Sequence, residues 1–147
     1  IANQTYNKDF LEGKTPGEYG VLNSTIAVLD LSYRIKKGHT IRFETQALFS
    51  KQLESASKEA EGDWLMALAE YTISPNWFFA IQDMYNYGNE NESKRLHYMN
   101  LNVGFLKGST RFEIGYGKKR EGIFCVGGVC KLVPSSNGLN LSITTSF

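Results

Sequence analysis

An antiparallel, all-β, up-and-down fold follows from two features of this sequence. Apolar residues recur at every second position almost throughout. The segments that carry this period are joined by connections that alternate strictly between short turns and long polar loops. A third feature concerns the surroundings of the fold, because the positions opposite the apolar stripes hold charged pairs.

Each strand can be read in order. Thr25 to Ile35 sets Ala27, Leu29, Leu31, Tyr33 and Ile35 against Ile26, Val28, Asp30, Ser32 and Arg34, and Lys36-Lys37-Gly38 turns the chain. Thr40 to Lys51 sets Ile41, Phe43, Thr45, Ala47 and Phe49 against Arg42, Glu44, Gln46, Leu48 and Ser50. Gln52 to Gly62 reads as a long polar loop, in which Ala and Glu could form a short helix. Asp63 to Ile73 is a third strand, with Leu65, Ala67, Ala69, Tyr71 and Ile73 on one side, followed by a Ser74-Pro75-Asn76 turn. Trp77 to Tyr87 is a fourth strand with poorly separated faces. Its apolar side takes Trp77, Phe79, Ile81, Tyr85 and Tyr87, and Asp83 falls there too.

After a second polar loop, Gly88 to Lys94, a fifth strand runs from Arg95 to Leu106. It opposes Met99, Leu101, Val103 and Phe105 to Tyr98, Asn100, Asn102 and Gly104. Lys107-Gly108-Ser109 leads into a sixth, Thr110 to Lys119, where Phe112, Ile114 and Tyr116 oppose Arg111, Glu113, Gly115 and Gly117. Arg120 to Gly138 is a third long loop. Leu139 to Phe147 is a seventh strand, with Leu139, Leu141, Ile143, Thr145 and Phe147 on one face. No helical period, linker or repeat interrupts the series.

Composition narrows the class. The 147 residues carry 16 Lys+Arg against 15 Asp+Glu, a net charge of +1, so there is no basic surplus of the kind a nucleic-acid binder shows. Hydrophobic residues are 41% and charged residues 21%, which is not a disordered composition. No apolar run approaches the roughly 20 residues of a spanning helix. A membrane β-barrel has no such run and remains open.

Alternation alone does not distinguish a soluble barrel from an inverted membrane barrel, which turns its apolar side to lipid. Loop lengths point to the second: outer-membrane barrels have short periplasmic turns and long external loops. Most of the strands run about 9–12 residues, against the roughly 9–11 that a tilted strand needs to cross. Arg42, Glu44, Glu70, Arg111 and Glu113 all project opposite the apolar stripe, where a wet lumen would solvate them and a dry core would not. Aromatics gather near strand ends, with Tyr33, Trp77, Phe105 and Phe112 by the short turns and Phe49, Tyr85, Tyr87 and Tyr116 by the long loops. That is the spacing of two interfacial girdles, although aromatic core packing would also place rings there. The C-terminal alternation Leu139, Leu141, Ile143, Thr145, Phe147 resembles the β-signal that the barrel-assembly machinery recognises in bacterial outer-membrane barrels.

With Phe147 periplasmic, the three polar loops fall outside, and residues 1–24 form an external loop or the end of a missing strand ahead of the barrel strands in 25–147. Seven strands break the even parity of bacterial barrels. An eighth strand within Ile1 to Val21 would restore it, but Asn3 to Leu11 is polar for a lipid-facing strand. The expectation is therefore the C-terminal portion of a larger barrel of roughly 14 strands. The start at Ile1-Ala2-Asn3, without Met or signal peptide, likewise suggests a mature, processed or partial chain.

Cys125 and Cys130 bracket Val126-Gly127-Gly128-Val129. A Gly-Gly pair suits a two-residue hairpin turn, which sets the two cysteines opposite each other as a non-hydrogen-bonded pair. A disulfide-pinned external hairpin is expected, with free thiols or a redox pair as rivals. No catalytic motif, phosphate loop or metal-ligand spacing is present, so neither enzyme activity nor a cofactor is expected. The charged pairs suit a solute-selecting constriction or a salt-bridge network stiffening the wall.

Arg120 to Pro134 followed by Ser136 to Phe147, together with Asp83-Met84-Tyr85-Asn86-Tyr87-Gly88-Asn89, resembles the C-terminal end of a porin-like outer-membrane barrel family of the Bacteroidota without an assigned function. That resemblance implies a longer protein in the bacterial outer membrane. Its partners would be outer-membrane lipid, lipopolysaccharide, the assembly machinery and, if it acts as a scaffold, another envelope protein. The function expected is passage of small solutes or an envelope scaffold. The rival reading is a soluble, lipocalin-like barrel that binds a small hydrophobic ligand, with its Leu and Phe stripes turned inward.

Overall fold

In a computed structural model, residues 1–53, 56–58 and 62–146 are described. Ten strands and little helix make up the chain: β1 (Ala2–Asn7), α1 (Lys8–Glu12), β2 (Val21–Lys36), β3 (His39–Gln52), β4 (Trp64–Ile73), β5 (Trp77–Tyr85), β6 (Asn100–Lys107), β7 (Thr110–Lys119), β8 (Gly122–Val126), β9 (Val129–Val133) and β10 (Ser136–Thr145). Eight strands form one sheet in the order β1-β2-β3-β4-β5-β6-β7-β10, and β8 and β9 form a separate ribbon. Every register that can be read is antiparallel. The chain resolves into two compact units: Ile1–Leu29 with Thr45–Met66 and Tyr85–Leu96, and Asp30–Glu44 with Ala67–Met84 and His97–Phe147.

The first unit corrects the strand count. Residues 2–7, too polar to suggest a lipid-facing strand, form β1 and pair with β2 from Ala2↔Ile26 to Asn7↔Val21. Side-chain amides replace the missing apolar contacts: Asn3 Nδ2 donates to Thr25 Oγ1 at 2.7 Å and Asn23 Nδ2 to Thr5 Oγ1 at 2.8 Å. Asn7 then caps α1, its Oδ1 accepting the Phe10 N–H at 3.1 Å, and Gly13 ends the helix in the left-handed region. Asp9 ties down the next loop by accepting the N–H groups of Gly17, Tyr19 and Gly20.

In the second unit the three short turns fall where the sequence puts them, and the register lays apolar residues in rows. Leu139, Tyr116, Leu101 and Ile81 follow one another across β10, β7, β6 and β5. Leu141, Ile114, Val103 and Phe79 form the next row, and Ile143, Phe112, Phe105 and Trp77 the third. Because the pleat alternates, the rows between hold Asn140, Gly115, Asn102 and Ala80, then Ser142, Glu113, Gly104 and Phe78. The apolar rows are the open side: Leu141 is 70% exposed and Ile143 71%. Asn102, Glu113 and Phe78 are buried. Gly104 lets the Phe78 ring lie flat on the sheet, since a Cβ there would meet that ring at 1.9 Å. On β2 the alternation is lost, and both faces are exposed from Val28 onward. Residues 95–99, expected to begin the fifth strand, lie outside β6, which starts at Asn100.

Candidate functional site

The buried polar face of the second unit is the candidate site, and the β8–β9 hairpin covers it. The hairpin follows from its sequence: Gly127 and Gly128 both take positive φ, 57° and 74°, as a two-residue turn of this kind requires. Val126 pairs with Val129 and Cys125 with Cys130, whose Cα atoms are 4.0 Å apart and whose sulfurs are bonded. The disulfide is as expected, but the loop does not project freely. Phe124 and Val126 are buried, and the turn docks on charged side chains from β4 and β7. Gly127 N–H donates to Glu70 Oε2 at 2.7 Å. Arg111 donates to the carbonyl oxygens of Gly127 and Val126, each at 2.9 Å.

Of the five charged residues expected to share the polar face, Arg42 pairs with Glu44 and Arg111 with Glu113, while Glu70 acts on Arg42 by its charge and on the hairpin by a hydrogen bond. Arg42 reaches Asp30 at 2.6 Å and also pairs with Glu44. Arg111 contacts Glu113 at 3.3 Å, stacks on the Phe78 ring with its guanidinium carbon 4.2 Å from the centroid, and with Glu70 holds the hairpin turn. Lys131 of β9 adds a second cation to Glu113 at 3.3 Å. Planar guanidinium groups suit this dual role of carboxylate pairing and ring stacking.

Sequence reasoning counted Asp30 and Asn100 on the polar sides of their strands but missed Lys131, Lys119 and Gln82. Period-two counting from Glu113 through Gly115 and Gly117 reaches Lys119, so that residue was available to the eye. Lys131 was not, because its place depends on how the hairpin folds back. Asn102 Nδ2 donates to Asn100 Oδ1 at 2.6 Å, while Asn100 Nδ2, Asn102 Oδ1 and Gln82 Oε1 have no partner among the described residues.

The residues of the expected assembly signal stand on the apolar side of β10: Leu139, Leu141 and Ile143 are exposed, Thr145 faces Thr110, and Phe147 lies outside the described residues. Trp77, Phe79 and Phe105 cluster beside the Ser74-Pro75-Asn76 turn, with the Trp77 and Phe105 ring centroids 4.7 Å apart. Among the described residues no group of three or more metal-binding side chains exists, and no helix is long and apolar enough to cross a membrane.

These features can be set beside known proteins. The chain belongs to the family of unknown function DUF6029. The match covers residues 1–147. No curated protein and no solved structure matches it.

Proposed function

We propose that this DUF6029 protein is a porin-like outer-membrane β-barrel. Its strands cross the bilayer with their apolar rows against lipid, and their polar face borders enclosed water through which small solutes pass. The observation that carries the reading is inverted polarity. Leu101, Ile114, Leu141 and Ile143 are exposed, whereas Glu70, Glu113, Asn100 and Asn102 are buried. A water-soluble sheet would reverse this arrangement, since burying charged groups is costly and exposing contiguous apolar rows favours aggregation. A lipocalin-like carrier would need Ile143 and Phe112 in a dry interior, and they are 71% and 42% exposed. Strands of 8–10 residues in β4–β7 and β10 suit a tilted crossing. Trp77 and Phe105 beside one short turn suit an interfacial girdle. In this reading Leu139, Leu141 and Ile143 belong to the assembly signal, and the docked hairpin narrows the water path.

The test has two parts. Full-length protein should fractionate with outer membranes, require detergent for extraction and migrate differently in gels before and after boiling. In planar bilayers it should conduct ions. Detergent-independent solubility would sink the membrane reading. Membrane insertion without conductance would leave the barrel and replace passage with an envelope scaffold.

A further inference from the structure

Lys119 is a buried cation that feels the Glu113 carboxylate only from beyond ion-pairing distance. It is 5% exposed, and it forms no ion pair among the described residues. Its ammonium donates to Asn140 Oδ1 at 3.0 Å and lies 4.5 Å from the centroid of the Phe124 ring. Glu113, six residues earlier on the same face of β7, is already shared by Arg111 and Lys131. A lysine ammonium has three N–H donors, so capacity remains beyond the Asn140 bond. A buried charge in this state favours a partner of opposite sign.

Unpartnered amides lie close by in the register. Gln82 of β5 faces Asn100 of β6, and Asn100 faces Gly117, two residues before Lys119 on the same side of β7. Gln82 is 9% exposed and Asn100 1%, yet Gln82 Oε1 and Asn100 Nδ2 have no hydrogen-bond partner. Buried polar atoms normally have one, so a ligand or water belongs here. Gln82 and Lys119 line one cavity of about 180 Å³, and Phe124 of the docked hairpin also lines it. Tyr98, Lys118, Arg120 and Glu121 also belong to that lining, with the Lys118 ammonium 4.8 Å from the Tyr98 ring centroid. Amide oxygen and nitrogen exchange places by a half-turn of the terminal group, so Gln82 can offer N–H donors as readily as its oxygen.

We propose that this cavity binds a small oxyanion, a carboxylate or phosphate group, held by Lys119 and Gln82 beneath the Phe124 ring. A metal cation would meet the Lys119 ammonium there, and a neutral solute would bring that ammonium no negative charge. An oxyanion answers the charge and takes the spare N–H donors of Lys119 and, after the half-turn of its amide, those of Gln82. The same side chains would bind it whether or not the strands cross a bilayer. Binding to solubilised protein and conduction in bilayers can therefore fail independently.

The test is isothermal titration of full-length protein in non-ionic detergent with inorganic phosphate and, separately, with acetate, against chloride at matched ionic strength. Saturable binding of phosphate, acetate or both is expected, and the two arms tell which oxyanion class the site prefers. Lys119→Met should weaken binding at least about tenfold, and Lys119→Arg should stay within about threefold of the native protein. Gln82→Leu keeps the charge cluster intact and should weaken binding roughly threefold or more, which decides the matter if Lys119→Met fails to fold. Absence of saturable binding by both anions overturns the proposal. Native affinity in folded Lys119→Met, or in Gln82→Leu, does so as well.

Discussion

Replacing Leu141 with arginine separates a lipid-facing wall from a water-facing one. Leu141 sits near the middle of β10, in the row with Ile114, Val103 and Phe79, and is 70% exposed. In water, an exposed Leu→Arg change alters stability by only about 0.5 kcal/mol in either direction. At a bilayer midplane, arginine on the lipid face of a barrel costs about 2–4 kcal/mol, roughly 30- to 1,000-fold in the folding equilibrium. Depth supplies an internal control. Thr145 ends the same strand, where the cost falls to about 0–1 kcal/mol, so Thr145→Arg should be nearly silent. The assay is reversible urea unfolding of the protein in phospholipid vesicles, with tryptophan emission as the signal. If Leu141→Arg and Thr145→Arg both fall within about 0.5 kcal/mol of the native protein, the apolar rows do not face lipid and the membrane reasoning is refuted.

Other outcomes follow from the same geometry. Arg111→Met strips Glu113 of one cation and frees the carbonyls of Val126 and Gly127. A loss of about 3 kcal/mol is expected, with faster hydrogen exchange across residues 122–133 as the hairpin undocks. Thiol alkylation should label Cys125 and Cys130 only after reduction, and Cys125→Ser should cost about 2 kcal/mol, the closure entropy of a six-residue loop, read by urea unfolding. Gly104→Ala places a methyl group against the Phe78 ring and should cost about 1–3 kcal/mol in the same assay. At Asp9, burial pushes the pKa up, but backbone N–H groups of Tyr19, Gly20, Gly17 and Glu18 outweigh it and leave the carboxyl below its ordinary value. A depressed pKa means the stabilisation is full above the unfolded value and is lost as pH falls through the folded one. Amide chemical shifts of Gly17, Tyr19 and Gly20 should therefore hold steady above about pH 5 and move together only in stronger acid, whereas Asp9→Asn should shift them already at neutral pH.

Much of this arrangement was legible along the chain. Phe112, Ile114 and Tyr116 against Arg111, Glu113 and Gly115 define two faces of β7 by counting in twos, because a strand reverses its side chains at every residue. Cys125 and Cys130 around Gly127-Gly128 define a hairpin and its disulfide, because a two-residue turn fixes which residues are opposed. β1 was not legible. An edge strand is held by backbone bonds and, here, by the Asn3, Thr5, Asn23 and Thr25 ladder, none of which needs an apolar pattern.

The sequence by itself determined the short turns and, in β4 to β7 and β10, which side chains share a face, since these depend on neighbours within a few residues. Tertiary structure alone decided that Arg42 pairs with Asp30 and Glu44 while Arg111 pairs with Glu113. It also decided that Glu70 holds a turn 57 residues away and that buried Lys119 lines one cavity with Gln82. Those placements follow from long-range register and from the hairpin folding back, and Coulomb forces and hydrogen bonds act between groups that only the closed chain brings within a few ångströms.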